Sequence, residues 1–319
     1  LANFIAVSKR IQTPFLSVVA LPLTSKGQLS ARPTAWYHRP MDAEALLALY
    51  DTPDSANPGR MLPGYDRDHA RRTTAIVLRT APEVGISGEW MERLEVIALL
   101  HDLGRAGMDP ELFSRIFTLA QQAGFPVRLP ELKERYSDVK EELAADLWLD
   151  LARNTLETNH VYVTSQLRDY IAMRMDYKER LREQLSLNVE TLGAVSAVVE
   201  PWMEKVILYY YPHLMEGEDS VVRRMGMLLV ACENFEAFNN ARRGRDYYGR
   251  DQETMQDAFA TLGKFQERGL VDADIIRSLA CLAATGALDA IVQEARDHPT
   301  TEPLPNEDKA FLETFCRAA

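Results

Sequence analysis

Residues 89–105 read EWMERLEVIALLHDLGR, and this stretch decides the fold expected for the chain. Its apolar residues recur at the spacing of a helix with one buried face. The residues that share this face are Trp90, Leu94, Ile97 and His101. Asp102 follows directly, and Gly104 ends the helix. An imidazole beside a carboxylate at a helix end suits metal binding, but a core histidine followed by a capping aspartate would give the same pattern.

The helical spacing continues along most of the chain from Met41 onward. Helices are predicted over residues 41–50, 68–81, 89–100, 110–123, 132–156, 160–175, 189–210, 220–239, 253–267, 273–283 and 288–295. Residues 1 to about 35 instead show alternating and β-branched stretches broken by prolines, which predicts some strand. Residues 51–64 are rich in Pro and Gly and are interpreted as a linker. The expected fold class is all-α, with a small strand-containing segment at residues 1–55 and a helical bundle at residues 60–319.

The bulk properties of the chain disfavour several classes of protein. Its 319 residues suffice for one large helical domain with an appendage, and its net charge of -11 disfavours binding to a nucleic-acid polymer. The longest apolar run, residues 15–23, contains Pro22 and is shorter than the roughly 20 residues of a membrane span. Cys232, Cys281 and Cys316 are too few and too scattered to predict a disulfide framework. We therefore expect a cytoplasmic protein without a membrane span.

Two more side chains are candidate metal ligands on separate helices. His69 lies two turns before Ile76, so it can point inward from its helix. In the helix that begins at Ser220, Glu233 shares an otherwise apolar face with Val222, Met225, Leu229 and Cys232. An ionised carboxylate on such a face is costly unless it is paired or bound to a metal.

Together these residues predict a metal site in the bundle core. His69, His101, Asp102 and Glu233 are the predicted ligands of one divalent cation, because three helices would each aim a ligand inward. The alternative is a buried polar network without a metal.

The order of these residues resembles the HD superfamily of metal-dependent phosphohydrolases, whose signature is a histidine, then His-Asp, then a late aspartate. Residues 222–245, reading VRRMGMLLVACENFEAFNNARRGR, are similar to the helix after the active site in the HD-GYP branch, which hydrolyses cyclic di-GMP. Phe235 and Ala237 match that pattern, and Glu233 stands at the position of the metal-binding aspartate. The resemblance covers roughly residues 60–290 and implies an HD-domain helical bundle.

The resemblance also implies roles for residues outside the first four ligands. His160 would be the middle histidine, which opens the following helix and binds a second metal, and His213 would be a further ligand. Asp102 would bridge the ions and Arg105 would neutralise phosphate charge, while Arg242 and Arg245 would hold the distal phosphate. The implied cofactor is iron or manganese, as one or two ions.

One aromatic run has two interpretations. Tyr210 lies within the run at residues 209–211, which could stack a purine base or simply belong to the core.

Two departures from the branch leave three functions open. Residues 209–218, reading YYYPHLMEGE, stand where the branch carries His-His-Glu and then Gly-Tyr-Pro, and Arg105 replaces a lysine. The leading hypothesis is a metal-dependent phosphodiesterase that hydrolyses a cyclic dinucleotide or a related nucleotide in bacterial signalling. The second is a degenerate HD-GYP-like module that binds metal or nucleotide without turnover and signals through a protein partner. The third is a mononuclear HD nucleotidase.

Overall fold

A computed structural model describes residues 41–54, 56–57, 59–209, 211–242 and 254–318, and the predicted all-α fold is confirmed there. Its α-helices are, in chain order, α1 Ala43–Leu47, α2 Arg67–Thr80, α3 Glu89–Leu100, α4 Pro110–Gln122, α5 Leu129–Arg135, α6 Ala144–Thr158, α7 Ser165–Met175, α8 Tyr177–Leu187, α9 Val189–Ala194, α10 Pro201–Ile207, α11 Ser220–Asn239, α12 Met255–Glu267, α13 Ala273–Ala284, α14 Asp289–Ala295 and α15 Asn306–Ala318. The strands within these ranges are β1 Thr52–Pro53 and β2 Met61–Leu62, which pair antiparallel.

Local sequence signals explain where several helices begin. Asp109 precedes Pro110, and its side chain accepts hydrogen bonds from the backbone N–H groups of Glu111 and Leu112 at 2.9 and 3.3 Å. Asp219 likewise accepts from the backbone N–H of Val221 at the start of α11. These carboxylates satisfy amide groups that have no partner within the helix.

The main hydrophobic core is built around α2, α3 and α11. These helices pack against one another directly or through α10, and α12 to α15 add to the same core. Phe235 and Cys232 of α11 and Leu94 and Ile97 of α3 are fully buried in it. Because α11 contacts helices on several sides, it is buried around most of its circumference.

A second, separate core lies within α4 to α7. Its centre is Trp148, which is fully buried and donates from Nε1 to the Pro126 carbonyl at 2.6 Å. Its other buried members come from residues 108–175. Tyr177, at the start of α8, packs against both cores.

The described residues that precede the predicted helical bundle pack with its helices. The described residues from Met41 onward belong to one compact unit. Within it, α1 packs on α3, and the buried Tyr50 donates from its hydroxyl to the Leu99 carbonyl at 2.9 Å. Residues 41–54 therefore belong to the helical unit rather than to an N-terminal segment of residues 1–55, and the predicted linker contains the β1–β2 pair. The strand predicted within residues 1–35 lies outside the described residues.

Three predicted helices need correction. The helix predicted over 132–156 is two helices, α5 and α6, because the polar stretch after Arg135 interrupts it. The helix predicted over 189–210 is also two, since Pro201 disfavours a helical conformation at the residue before it. The helix predicted from His160 begins at Ser165, and α8 and α15 were not predicted.

The cysteines also differ from expectation. Cys281 of α13 and Cys316 of α15 form a disulfide, with a Cα–Cα distance of 5.2 Å, while Cys232 is a buried free thiol. The sequence did not predict this disulfide, because it is the fold that brings together two helices that are distant in sequence.

Within the parts of the chain described above, no helix taken singly has the length and apolar content to cross a bilayer; α13 and α14 meet both criteria only as a pair, with a bend of 90°.

Candidate metal centre

Three of the four predicted ligands meet in the core. His69 lies in the first turn of α2, and His101 and Asp102 follow the last residue of α3. The Nε2 atoms of the two histidines are 3.1 Å apart, and Asp102 Oδ2 lies 3.5 Å from His69 Nε2 and 4.0 Å from His101 Nε2. All three residues are buried, and this group could hold a metal ion.

The hydrogen bonds of the two imidazoles determine which nitrogen carries a proton. His101 Nδ1 lies 2.7 Å from the Ala98 carbonyl, which can only accept a hydrogen bond, so Nδ1 is the donor. His69 Nδ1 contacts Glu236 Oε2 in the same way. In the neutral imidazoles both Nε2 atoms then present lone pairs to each other at 3.1 Å. A cation held between them would replace this repulsion with coordination.

The distances fit one metal ion. Two ligand atoms bound at about 2.1 Å lie about 3.0 Å apart at the right angle of an octahedron and about 4.2 Å apart on opposite sides of the metal. The separations of 3.1, 3.5 and 4.0 Å lie within these limits. Two imidazoles with a carboxylate are a common ligand set for divalent transition metals.

Burial favours the neutral, metal-binding form of His101. Burial lowers the pKa of His101, and the nearby His69 lowers it further, while Asp102 and Glu233 oppose the shift. The imidazole is therefore unprotonated near neutral pH, as a metal ligand must be.

Tyr177 fixes the backbone that carries His101. Its hydroxyl donates to the His101 carbonyl at 2.5 Å. Gly104 permits this contact, because a Cβ there would lie 2.6 Å from Cε2 of Tyr177. Burial raises the pKa of Tyr177 well above its usual value, and the negative charge of Asp102 adds to this, so the hydroxyl keeps its proton.

Glu233, the fourth predicted ligand, lies outside the group of three. It is half-buried, and its carboxylate accepts from Asn234 Nδ2 at 2.8 Å. Another acid of α11, Glu236, is 1% exposed and contacts His69 directly. Sequence reasoning missed Glu236, although it lies one helical turn from Glu233 on the same helix.

Sequence reasoning also missed a second buried acid. Asp66, at the start of α2, is 2% exposed. After burial and Asp102, its negative charge is among the influences that raise the pKa of Tyr177. The only available signal was its position three residues before His69.

The two other histidines predicted as ligands do not join the cluster. His160 is exposed and has φ of 59°, and the N–H groups of His160 and Val161 close the end of α6 onto the carbonyls of Glu157 and Leu156. It therefore ends a helix rather than opening one. His213 is exposed in a short turn at Pro212–Met215 and contacts the ring of Tyr211. Among the described residues, the group that could hold a metal contains neither.

The residues predicted to bind the substrate differ in where they lie. Arg105 lies beside the cluster, with Nε 3.4 Å from Asp102 Oδ1. Arg242 is exposed, and its guanidinium lies 4.5 Å from the ring centre of Tyr65, one turn before His69. Arg245 and Tyr210 lie outside the described residues, so their predicted roles stay predictions.

The cluster is more accessible on one side. Side-chain exposure is 1% for His69, 10% for Asp102 and 14% for Arg105. Asp102 and Arg105 therefore form the more exposed side of the cluster.

No family model, curated protein or solved structure matches the chain.

Proposed function

We propose that this protein is a metal-dependent phosphohydrolase of the HD type that acts on a nucleotide phosphate ester. The observation that carries the proposal is the buried group of His69, His101 and Asp102, with two imidazole lone pairs facing each other at 3.1 Å. Iron or manganese is the proposed metal, since imidazole and carboxylate ligands suit either.

The residues around the cluster suit phosphoryl chemistry. A divalent cation held there would polarise a phosphoryl oxygen and activate water for attack on phosphorus. Asp102 has one oxygen toward the histidines and the other toward Arg105. Arg105, on the accessible side, would place a permanent positive charge against the phosphate oxygens. His69 and His101 would hold their Nε2 atoms toward the cation, since both Nδ1 protons are already engaged.

The substrate is proposed to extend toward α2 and the end of α11. Arg242 lies over Tyr65, which precedes α2, so a positive charge stands near the helix that carries His69. A distal phosphate of a cyclic dinucleotide could use this charge, and cyclic di-GMP is therefore the first substrate to test.

A single metal ion is favoured over two by the positions of the other histidines. His160 and His213 are both exposed, and neither joins the cluster. This observation supports the mononuclear nucleotidase as the second candidate, with a nucleoside monophosphate as its substrate. A module that binds without turnover would share the same cluster.

Metal analysis combined with two assays distinguishes these functions. The purified 319-residue chain, loaded with Fe²⁺ or Mn²⁺, would be assayed with cyclic di-GMP and with nucleoside monophosphates. Turnover of the dinucleotide supports the phosphodiesterase, turnover of monophosphates alone supports the nucleotidase, and metal binding without turnover supports the signalling module. Failure to bind either metal would reject both metal-dependent enzymes.

Matched variants test whether the cluster is the site. His69→Ala and Asp102→Asn should each abolish turnover and lower the metal content of the purified protein. His160→Asn is the control, because asparagine tolerates the positive φ of 59° at that position. It should retain the metal content of the wild type. Equal loss in all three variants would contradict the assignment.

A further inference from the structure

Glu236 is a buried carboxylate with both oxygens engaged. Its side chain is fully buried on α11. Oε2 contacts His69 Nδ1, while Oε1 accepts from Arg72 Nε at 2.7 Å and from Asn240 Nδ2 at 3.1 Å. The opposite charge and the three contacts offset the cost of burying the carboxylate.

This arrangement sets the orientation of His69. An ionised carboxylate can only accept, so the imidazole proton lies on Nδ1 and the lone pair lies on Nε2. The same Nε2 faces His101 at 3.1 Å and Asp102 at 3.5 Å. Without Glu236, the ring could exchange tautomers or rotate, and the lone pair would leave the cluster.

We infer that Glu236 is a positioning residue of the metal centre: it holds His69 with Nε2 toward the cation, and Arg72 holds Glu236 in place. This inference rests on the proposed metal site. A carboxylate behind a metal-bound imidazole also strengthens the imidazole as a donor, and loss of such a partner typically costs about 10- to 100-fold in metal affinity.

Arg72 connects this carboxylate to a second acid. Its Nη1 lies 3.2 Å from Glu294 Oε1 on α14, and Glu294 also pairs with Arg71. Burial lowers the pKa of Arg72, but the charges of Glu236 and Glu294 outweigh burial and raise it, so the guanidinium stays charged. Glu294 reaches Arg72 without touching His69, and its side chain is 35% exposed, which makes it a matched control.

The experiment measures Co²⁺ binding to the whole 319-residue chain by the visible absorption of the bound Co²⁺. Glu236→Gln should bind Co²⁺ about 10- to 100-fold more weakly than wild type. One amide oxygen cannot serve His69, Arg72 and Asn240 as two carboxylate oxygens do. Glu294→Gln should stay within about two-fold of wild type.

A double-mutant cycle separates positioning from a structural role. In a His69→Ala background, Glu236→Gln should change the remaining Co²⁺ affinity by less than about two-fold, since its partner is already gone. An equal loss in both backgrounds would mean that Glu236 acts through Arg72 and the fold, which would overturn the inference.

A measurement on the wild type needs no folded variant. Nitrogen NMR of the histidine rings in Zn²⁺-loaded protein should show His69 with a proton on Nδ1 and the metal on Nε2. The reverse arrangement would overturn the inference and leave the metal site intact. Absence of any Zn²⁺ or Co²⁺ binding by the wild type would instead reject the proposed function.

Discussion

Gly104 illustrates how one residue positions the cluster. It lies against the ring of Tyr177, whose hydroxyl binds the His101 carbonyl. Gly104→Ala would place a methyl group 2.6 Å from Cε2 of Tyr177, so we expect a loss of about 1–3 kcal/mol in the free energy of unfolding from overpacking. We also expect weaker metal binding, because His101 would shift with its carbonyl. Thermal unfolding and metal titration measure the two effects.

The control for this substitution is Gly263 in the interior of α12. A Cβ there would meet no other side chain or neighbouring backbone within 4 Å. Gly263→Ala should leave metal binding unchanged and raise stability by about 0.5–1 kcal/mol, since alanine favours the helix. Similar losses in both variants would argue against a specific contact with Tyr177.

The buried His101 also predicts how stability depends on pH. Burial lowers its pKa in the folded state below the ordinary value of 6.5. As pH falls below 6.5, the unfolded chain binds a proton that the folded chain resists, so the metal-free protein should lose stability. His101→Asn should show a smaller loss over the same range. Urea unfolding between pH 5 and pH 8 would check this, and identical slopes for both proteins would contradict it.

The two acids of α11 show what a sequence pattern can and cannot resolve. Glu233 shares a face with apolar residues, so it was the predicted ligand. Because α11 is buried on most sides, an apolar stripe does not mark a single inward face, and Glu236 lies inward as well. The histidines and Asp102 were predictable because each sits at the end of a helix with a clear buried side. Glu236 required the positions of α2 and α11 relative to each other.

At the scale of elements, the disulfide between α13 and α15 fixes the last helix. Cys281 and Cys316 are separated by 35 residues. Cross-linking a loop of that length stabilises a folded chain by about 3–4 kcal/mol through the unfolded state. Cys316→Ser should therefore lower the free energy of unfolding by that order, as measured by denaturant titration. An unchanged midpoint would contradict the expectation.

Thiol labelling provides the matching control for the disulfide. Burial raises the pKa of Cys232 to about 12, so this thiol should not react in the folded protein at neutral pH. Labelling of the native wild type should be negligible, and mild reduction should expose two reactive thiols. A third label on the folded protein would show that Cys232 is more accessible than its burial implies.

The helices differ in how well they could be predicted. The bounds of α3 and α11 were predicted correctly, since their apolar runs are long and Asp219 caps α11. The start of the helix after α6 was not predicted correctly. His160 adopts a left-handed conformation that ends α6, and the sequence Asn159-His160 looks the same whether a helix ends or begins there. The break between α5 and α6 also escaped, since its polar residues fit an exposed helix face equally well.

At the scale of the whole molecule, the two cores predict that each can be destabilised without the other. Trp148 is the centre of the core of α4 to α7, and Phe235 belongs to the core that carries the cluster. Replacing either residue by alanine should lower the free energy of unfolding by about 3–5 kcal/mol. Trp148→Ala should destabilise residues 108–175 without changing metal affinity. Phe235→Ala should lower both the stability of the main core and the metal affinity. Hydrogen exchange with metal titration tests this, and loss of metal binding in Trp148→Ala would contradict it.

The helices α4 to α7 leave the main core just after Arg105 and return at Tyr177, whose hydroxyl reaches back to His101. The chain therefore leaves and re-enters the main core at neighbouring positions beside Asp102. Any segment inserted between Arg105 and Tyr177 is held at both ends by the same short stretch of backbone. Insertions and deletions among related sequences should concentrate between residues 108 and 176, because changes there leave the distance between His69 and His101 unaltered.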